Sequence, residues 1–220
     1  VQTCALPILP LMLIISASLA LALDSGRLYG TRFFRISIFI PYAVPGVVST
    51  LMWGFLLGTR YGLFKNVNEL FGTDVDPFSP SSVIVAIGVM ISWGSIGYNM
   101  LIFYSSLKAI PTELYEAAAI DGASHWQVDR NIKIPEISGS LSIALIFAII
   151  GSTQLFNEPQ ILSKMMGGTG ITTNWTPNLY IYDLAFSDSS QGYAAAAAIV
   201  MALIVIVATF AIQIRSMRRS

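Results

Sequence analysis

The chain has 220 residues, of which 55% are hydrophobic and only 11% charged, and its formal net charge is zero. Soluble domains carry about 25% charged residues, so this composition predicts a membrane protein without a basic nucleic-acid-binding surface. One cysteine, Cys4, and one histidine, His125, exclude an internal disulfide and a metal site built from those residue types. The chain also lacks a G-x-x-x-x-G-K-[ST] run, so it binds no ATP through a P-loop, and we expect neither an enzyme nor a cofactor.

The first eight residues, V-Q-T-C-A-L-P-I, do not begin with methionine and resemble a translated sequencing adapter. We therefore expect residues 1–8 to be non-native. The alternative is a fragment with an ordinary apolar start. Both interpretations predict an incomplete N-terminus.

Crossing a membrane takes about 20 mostly apolar residues, and five segments satisfy that requirement. They run from Leu6 or Leu9 to Leu23, from Phe33 to Leu57, from Ser82 to Leu107, from Ile137 to Leu155 and from Tyr193 to Ile214. Pro41 and Pro45 are expected to kink the second span. None of the spans carries a charge near its middle, where it is costly. The sequence thus predicts an all-α polytopic membrane protein with a transmembrane domain at 9–214 and a basic tail at 215–220.

Basic residues are distributed unequally between the two sides of this topology. One side carries nine of them, namely Arg27, Arg32, Arg35, Lys108, Arg130, Lys133, Arg215, Arg218 and Arg219. The other side carries Arg60, Lys65 and Lys164. Since cytoplasmic loops are enriched in Lys and Arg, we expect the segment 110–135 and the C-terminus to face the cytoplasm. A cytoplasmic N-terminus then requires a sixth span upstream.

Two connections face the other side. Gly58 to Ser81 is rich in Gly, Asn, Asp and Pro, and we expect an irregular connection there. Glu158 to Gln191 is longer and contains the glycine cluster Gly167 to Gly170, which follows no strand and lacks a lysine. We therefore expect a flexible turn at the cluster rather than a phosphate site.

The segment from Ile110 to Pro135 is polar but has the signals of a folded unit. We expect Thr112 to cap a helix whose first turn holds Glu113 and Glu116, and the alanines 117–119 favour its continuation. Gly122 stands where a left-handed C-cap is expected.

A second short helix is predicted to follow. Ser124 and Gln127 have the spacing of a capping box, and Pro135 is expected to end this helix because it drives Ile134 toward extended geometry. The segment is therefore predicted to be a helix–elbow–helix. His125 is expected to face solvent or to pack, and Trp126 to form the small core of the segment or to contact a partner.

Few polar side chains lie inside the spans. The amides are those of Asn99, Gln154 and Asn157, with the aromatic residues Trp93 and Tyr98 nearby in sequence. One interpretation is a path for a polyhydroxylated solute, with amides bonding hydroxyls and rings stacking on sugars. The other is interhelical hydrogen bonding for the amides and an interfacial belt for the aromatic residues. Both remain open. Intramembrane carboxylates stop at Glu158, so energy for transport is expected to come from another subunit.

The segment 110–135 can also be matched to a known motif. Glu116-Ala117-Ala118, Gly122, Ile132 and Ile134-Pro135 resemble the EAA loop of membrane subunits in bacterial binding-protein-dependent ABC importers. The runs I-P-T-E-L-Y and I-D-G-A in the loop, P-Y-A-V-P at 41–45 and F-N-E-P at 156–159 are similar to the carbohydrate branch. Asp129, Ile134 and the lack of a second proline after Pro135 depart from the usual pattern and leave the geometry of the second helix open.

The resemblance implies a type I importer permease of the bacterial inner membrane that forms half of a sugar translocation pathway. Implied partners are a second permease subunit, two cytoplasmic ATPase subunits that hydrolyse the ATP, and an extracytoplasmic solute-binding protein. The implied ATPase-coupling residues are Glu116, Ala117, Ala118, Asp121, Gly122, Ile132 and Pro135. Glu116 is expected to contact the ATPase, its alternative role being that of a helix-start carboxylate.

Two alternatives stay open. The same architecture serves other solutes such as polyamines, amino acids or phosphate esters, and only the carbohydrate-like runs oppose them. A carrier or scaffold unrelated to ABC importers is disfavoured, because no charge lies at mid-membrane and no inverted repeat is visible. The sequence does not encode which sugar is carried.

Overall fold

The computed structural model describes residues 8–25 and 29–217, and every regular element within those ranges is helical. The elements in chain order are α1 Ile8–Asp24, α2 Thr31–Phe39, a 3-10 turn Ile40–Ala43, α3 Gly46–Leu57, α4 Leu63–Phe71, α5 Val83–Lys108, α6 Thr112–Ile120, α7 His125–Val128, a π-helical turn Asp129–Lys133, α8 Ile134–Glu136, α9 Ser138–Thr153, α10 Asn157–Met165, α11 Pro177–Phe186 and α12 Gln191–Met217. Of the predicted non-native start, only Ile8 is described. Arg27, Arg218 and Arg219 lie outside the described residues.

Three stretches within the described ranges are long and apolar enough to cross a membrane. They are Val83–Lys108, Ser138–Met165 and Gln191–Ala211. The second comprises α9 and α10, which are separated by irregular backbone at 154–156. These positions confirm the predicted third, fourth and fifth spans. Helix α1 coincides with the predicted first span and is apolar, but at 17 residues it is shorter than the other three.

The predicted second span is broken rather than kinked. Thr31–Ala43 and Gly46–Leu57 meet at an angle of 97°, so the pair forms either a broken span or a re-entrant loop. Pro41 and Pro45 explain the break, because each removes a backbone donor, and Pro45 has extended backbone angles (φ −55°, ψ 136°) before α3. By length and composition the described chain thus has three spans, or four with the bent pair, where the sequence predicted five.

Both of these outer connections contain helices, although the first was expected to be irregular. Helix α4 occupies Leu63–Phe71 in the first, and α10 and α11 occupy most of the second. The expected turn in the glycine cluster is confirmed, since Gly168 and Gly170 both have positive φ. Tertiary contacts stabilise α10, which packs on α3. That information is not present in local sequence.

The chain divides into two compact units. Among the described residues, the first comprises 8, 44–92 and 148–210, and its core contains Phe78, Val83, Ile87 and Leu162. The second comprises 9–25, 29–43, 93–147 and 211–217 and includes the whole segment 110–135. In this second unit α2 and α5 approach closely, because a Cβ on Gly97 would overlap the carbonyl group of Ile38.

Candidate functional site

The first limb of the segment 110–135 is α6. It begins at Thr112 itself, Pro111 occupies the capping position, and no side chain caps the helix. The prediction that Thr112 is the cap is therefore wrong, because the preceding proline already fixes the backbone that enters the helix. Glu113 lies in the first turn as predicted, whereas Glu116 lies one turn further along. The helix dipole acts mainly within the first turn, so it gives Glu116 little stabilisation.

The elbow has the geometry predicted for Gly122. Its φ is +70°, in the left-handed region. The amide of Gly122 donates to the carbonyl oxygen of Ala119 at 3.1 Å, and that of Ala123 donates to Ala118 at 2.9 Å. This pair of bonds is a Schellman motif, which satisfies the last carbonyls of α6 and fixes the direction of the chain that follows.

The second limb starts with the predicted capping box. The amide of Ser124 donates to Oε1 of Gln127 at 2.7 Å, and the amide of Gln127 donates to Oγ of Ser124 at 3.4 Å. Both ends of the elbow are thus held by hydrogen bonds. An elbow with satisfied backbone groups on both sides is a rigid connector rather than a slack loop.

The second limb does not end at Pro135. Ile134 has helical backbone angles (φ −63°, ψ −44°) rather than the extended ones expected, and Pro135 lies in the first turn of α8. The π-helical turn Asp129–Lys133 precedes it, and the first turn of a helix needs no donor from proline. After one turn at Ile137 the chain enters α9. The second limb therefore runs almost directly into a span.

The predicted coupling residues lie at the surface. Glu116, Ala117, Asp121, Gly122 and Pro135 are exposed, while Ala118 and Ile132 are half-buried. Large apolar side chains share this exposure: the side chain of Ile120 is 87% exposed and that of Trp126 67%. Trp126 therefore does not form the core of the segment, which leaves partner contact as its remaining predicted role.

Asp24, a residue that the sequence analysis did not single out, lies beneath the loop. Its Oδ1 is 2.7 Å from Nζ of Lys108, and its Oδ2 is 3.1 Å from Nζ of Lys133. Lys133 also pairs with Asp129 at 3.1 Å. The side chains of Asp24 and Lys133 are buried, at 7% and 10% exposure, although Asp24 as a whole residue is half-buried. Asp24, Lys108, Lys133 and Asp129 together are called the ion-pair cluster below.

Tyr115 of α6 adjoins this cluster. Nζ of Lys133 lies 5.9 Å from the centre of the Tyr115 ring, and the Tyr115 hydroxyl is buried with no hydrogen-bond partner among the described residues. Burial raises the pKa of Tyr115. Burial alone would lower the pKa of Lys133, but its hydrogen bonds to Asp24 and Asp129 outweigh that effect and raise it. Both groups therefore keep their neutral-pH charge states, with Lys133 charged and Tyr115 neutral.

A sequence signal for Asp24 exists. It is an acid at the end of an otherwise apolar segment, next to a connection rich in arginine. A carboxylate there is unfavourable at a helix C-terminus and needs cations nearby. Local sequence does not reveal which cations pair with Asp24, because Lys108 and Lys133 are distant along the chain.

Three candidate path residues belong to the second unit. Tyr98 stacks on Tyr42 with ring centres 4.7 Å apart and an interplanar angle of 14°. Asn99 is buried, and its Nδ2 donates to the carbonyl oxygen of Ser95 at 3.0 Å, one turn earlier in α5. Trp93 is half-buried on the same helix. Asn99 thus makes a local helical hydrogen bond, whereas Tyr98 and Tyr42 offer an aromatic surface.

The other two path residues belong to the first unit and lie at the break between α9 and α10. The Gln154 side chain is exposed, and its backbone carbonyl accepts a 2.9 Å hydrogen bond from Nδ2 of Asn178. Asn157 begins α10, and a Cβ on Gly46 would lie 3.7 Å from its Nδ2. Between them, Phe156 contacts Tyr182 with ring centres 5.2 Å apart. Two exposed amides therefore flank an aromatic pair in this unit.

Comparison with known proteins assigns the family. The family described as "Binding-protein-dependent transport system inner membrane component" matches residues 5–219. The diacetylchitobiose uptake system permease protein NgcF of Streptomyces coelicolor is 30% identical over 91% of this chain and 60% of its own length. The lactose transport system permease protein LacF of Rhizobium radiobacter is 32% identical over 91% of this chain and 68% of its own. The chain thus spans about three fifths to two thirds of the length of these relatives.

Solved structures agree on the fold. A bacterial alginate ABC transporter, crystallised in complex with alginate pentasaccharide-bound periplasmic protein, contains a chain that superposes with a TM-score of 0.81 at 21% identity, over 97% of this chain and 76% of that one. The all-helical architecture and the apolar spans are those of a multi-pass membrane protein. Since the family match covers nearly the whole sequence, this chain belongs to the inner-membrane component family of binding-protein-dependent transport systems, whose members are transport permeases rather than enzymes.

Proposed function

We propose that this chain is the permease subunit of an ABC importer for mono- or oligosaccharides and forms half of the translocation pathway. A second permease subunit completes the pathway, an extracytoplasmic binding protein delivers the solute, and two cytoplasmic ATPase subunits supply the energy. The observation that carries the proposal is the exposed helix–elbow–helix of residues 110–135 in a chain of this family.

The surface of the loop suits a docking element. Ile120 and Trp126 stand on the two sides of the Gly122 elbow and are 87% and 67% exposed. Burying a large apolar side chain yields about 1.5–3 kcal/mol, so these two residues contribute to a docking contact, although association itself costs about 4–15 kcal/mol and needs further contacts around them. Ala117 and Gly122 are small and exposed, which lets a partner backbone come close. Asp121 adds a carboxylate beside the elbow.

Charge and contacts together support a cytoplasmic position for the loop. Asp24, Lys108 and Lys133 are in direct contact, so the end of α1, the end of α5 and the loop lie on one face of the second unit. Nine of the twelve Lys and Arg residues were assigned to that face from the sequence, against three on the other. The excess of basic residues favours the cytoplasm for the loop and the C-terminus, which is where an ATPase subunit resides.

A saccharide is the solute class best supported. NgcF and LacF are named for diacetylchitobiose and lactose, and the alginate transporter was crystallised with a pentasaccharide-bound partner. Within this chain the stacked pair Tyr42–Tyr98 and the pair Phe156–Tyr182 offer ring surfaces, and Gln154 and Asn157 offer exposed amides. Rings that stack on sugar faces and amides that bond hydroxyls are the groups such a solute requires.

Docking is tested with the permease co-expressed with its ATPase partner. Ile120→Glu is expected to reduce ATPase co-purification at least tenfold, since burying an unpaired carboxylate opposes the contact. The matched control is Leu70→Glu on α4, because Leu70 is similarly exposed at 79% and belongs to the first unit rather than to the loop. ATPase co-purification that is equal in both variants and the unmodified protein would contradict docking through the loop.

The solute class is tested on the cognate binding protein. Its thermal unfolding is followed against a panel of mono- and oligosaccharides, polyamines and amino acids. A stabilisation by a saccharide alone is expected, because a ligand that binds only the folded state raises its unfolding temperature. Stabilisation by a polyamine or an amino acid instead would replace the saccharide assignment and leave the importer architecture intact.

A further inference from the structure

We propose that Asp24 is a positioning residue that fastens both ends of the coupling loop to the last turn of α1, so that displacement of the loop is transmitted to that helix. This inference rests on the proposed function, in which an ATPase subunit displaces the loop. Beyond that function, it predicts that the movement of the loop reaches the membrane helix α1 through Asp24, a residue outside the loop.

The geometry of the carboxylate carries the inference. Each oxygen of Asp24 serves a different lysine, Oδ1 facing Lys108 at 2.7 Å and Oδ2 facing Lys133 at 3.1 Å. Lys108 is the last residue of α5, just before the loop, and Lys133 ends the π-helical turn near the end of the loop. One buried side chain therefore joins the two ends of the loop to each other and to α1.

Local folding preferences do not account for this arrangement. A carboxylate at the C-terminus of α1 faces the negative end of the helix dipole, and its burial removes it from water. A neutral side chain at position 24 would avoid both costs. A buried carboxylate with two lysines gives instead a contact of fixed direction, which an apolar contact lacks. The alternative role, in which the cluster only stabilises the fold, is distinguished by the measurements below.

The loop is stiff enough to transmit a displacement through this contact. The Schellman bonds and the capping box hold the elbow, and the ring of Tyr115 in the first limb lies 5.9 Å from Nζ of Lys133 in the second. At the base of the loop, the hydroxyl groups of Ser106 and Ser140 are hydrogen-bonded to each other across α5 and α9. The two limbs and the base thus form one connected unit.

The ion-pair cluster is the contact through which the loop is attached to α1. The backbone of the loop continues into α5 on one side, through Ala109 to Pro111, and into α9 on the other, through Ile137. It is not continuous with α1, whose end is nevertheless held by the two lysines. Loss of the Asp24 charge is therefore expected to leave the motion of the loop itself unchanged and to remove its effect on α1.

The experiment follows both elements in the assembled transporter, reconstituted in lipid nanodiscs with Cys4→Ser as background. Single cysteines replace the exposed residues Ala119 on the loop and Ala22 on α1, and each carries a spin label. The probe is Mg-ATP, so no solute is needed. In the unmodified transporter both labels are expected to change mobility on addition of Mg-ATP. Asp24→Asn is expected to retain the change at Ala119 and to reduce that at Ala22 at least fivefold, the lower end of typical coupling between sites.

Conservative and partial variants separate positioning from folding. Asp24→Glu keeps the charge and is expected to restore the response at Ala22. Lys108→Gln removes one attachment through a side chain that is 54% exposed, so the fold tolerates it, and an intermediate response is expected. Glu136→Gln, an exposed carboxylate next to the loop and outside the ion-pair cluster, is the matched control and is expected to leave both responses unchanged.

The outcomes are distinct. Full responses at Ala22 in both Asp24→Asn and Lys108→Gln would overturn the positioning role and leave ATPase docking intact. Loss of the ATPase from the Asp24→Asn complex would also overturn it, because Asp24 would then act in docking rather than in transmission. A label at Ala119 that ignores Mg-ATP in the unmodified transporter would contradict the proposed function itself.

Discussion

Replacing Gly122 separates two reasons for a glycine at the elbow. Its φ is +70°, and a Cβ added there would meet nothing within 4 Å. The chain itself thus imposes no steric cost on a side chain, only the cost of the left-handed backbone. That cost is about 1–2 kcal/mol for alanine and less for asparagine, which adopts this conformation more readily. If backbone strain alone decides, ATPase affinity and loop stability decrease in the order Gly, Asn, Ala at position 122.

Contact with a partner ranks them differently. Where an ATPase surface packs against the elbow, each added side-chain atom interferes, and overpacking costs about 1–3 kcal/mol. Gly122→Ala adds one heavy atom and Gly122→Asn adds four. If partner contact decides, ATPase affinity decreases in the order Gly, Ala, Asn at position 122. Because the two orders differ, one pair of substitutions distinguishes the two roles.

The assay measures the affinity of the purified ATPase subunit for the detergent-solubilised permease. Loop integrity is followed in parallel by hydrogen exchange at the Ala123 amide, which is bonded to the Ala118 carbonyl in the unmodified loop. We expect Gly122→Asn to weaken ATPase binding more than Gly122→Ala does, while its Ala123 amide stays the better protected of the two. An affinity order of Gly, Asn, Ala would refute partner contact at the elbow and leave a backbone role only.

Further predictions concern the ion-pair cluster and the caps. Lys133→Met leaves Asp24 with Lys108 alone and is expected to lower the free energy of unfolding by about 3 kcal/mol, the lower end for a broken buried pair, measured by denaturant unfolding in detergent. The pKa of Lys133 is raised in the folded protein, so its contribution to the free energy of unfolding is complete below the unfolded pKa of about 10.4. That contribution is lost only as pH rises through the higher folded pKa. Lys133→Met should therefore lower the free energy of unfolding by the same amount at pH 7 and pH 9. Tyr115→Phe removes a buried hydroxyl without a partner among the described residues and is expected to leave the unfolding temperature unchanged or raise it; a clear decrease would reveal a hidden partner. Ser124→Ala removes half of the capping box and is expected to cost about 1 kcal/mol, seen as faster exchange of the Gln127 amide.

The sequence determined those elements whose cause lies in neighbouring residues. The helices Val83–Lys108, Ser138–Thr153 and Gln191–Met217 follow from apolar length, and the capping box follows from the side chains of Ser124 and Gln127, three residues apart. The left-handed Gly122 likewise depends on local backbone preference alone. Such features can be predicted without knowledge of the fold, because the interacting groups are close together along the chain.

The tertiary structure decided what depends on groups far apart along the chain. The helix α10 is stabilised by its contacts with α3, which no local pattern reveals, and the prolines that predict a kink near Ala43 do not by themselves specify an angle of 97°. The burial of Asp24 depends on Lys108 and Lys133, distant in sequence. The sequence alone predicted a helix–elbow–helix at 110–135 that resembles an EAA loop. Only the packing brought the end of α1 beneath it, because long-range ion pairs form where the folded chain places their partners.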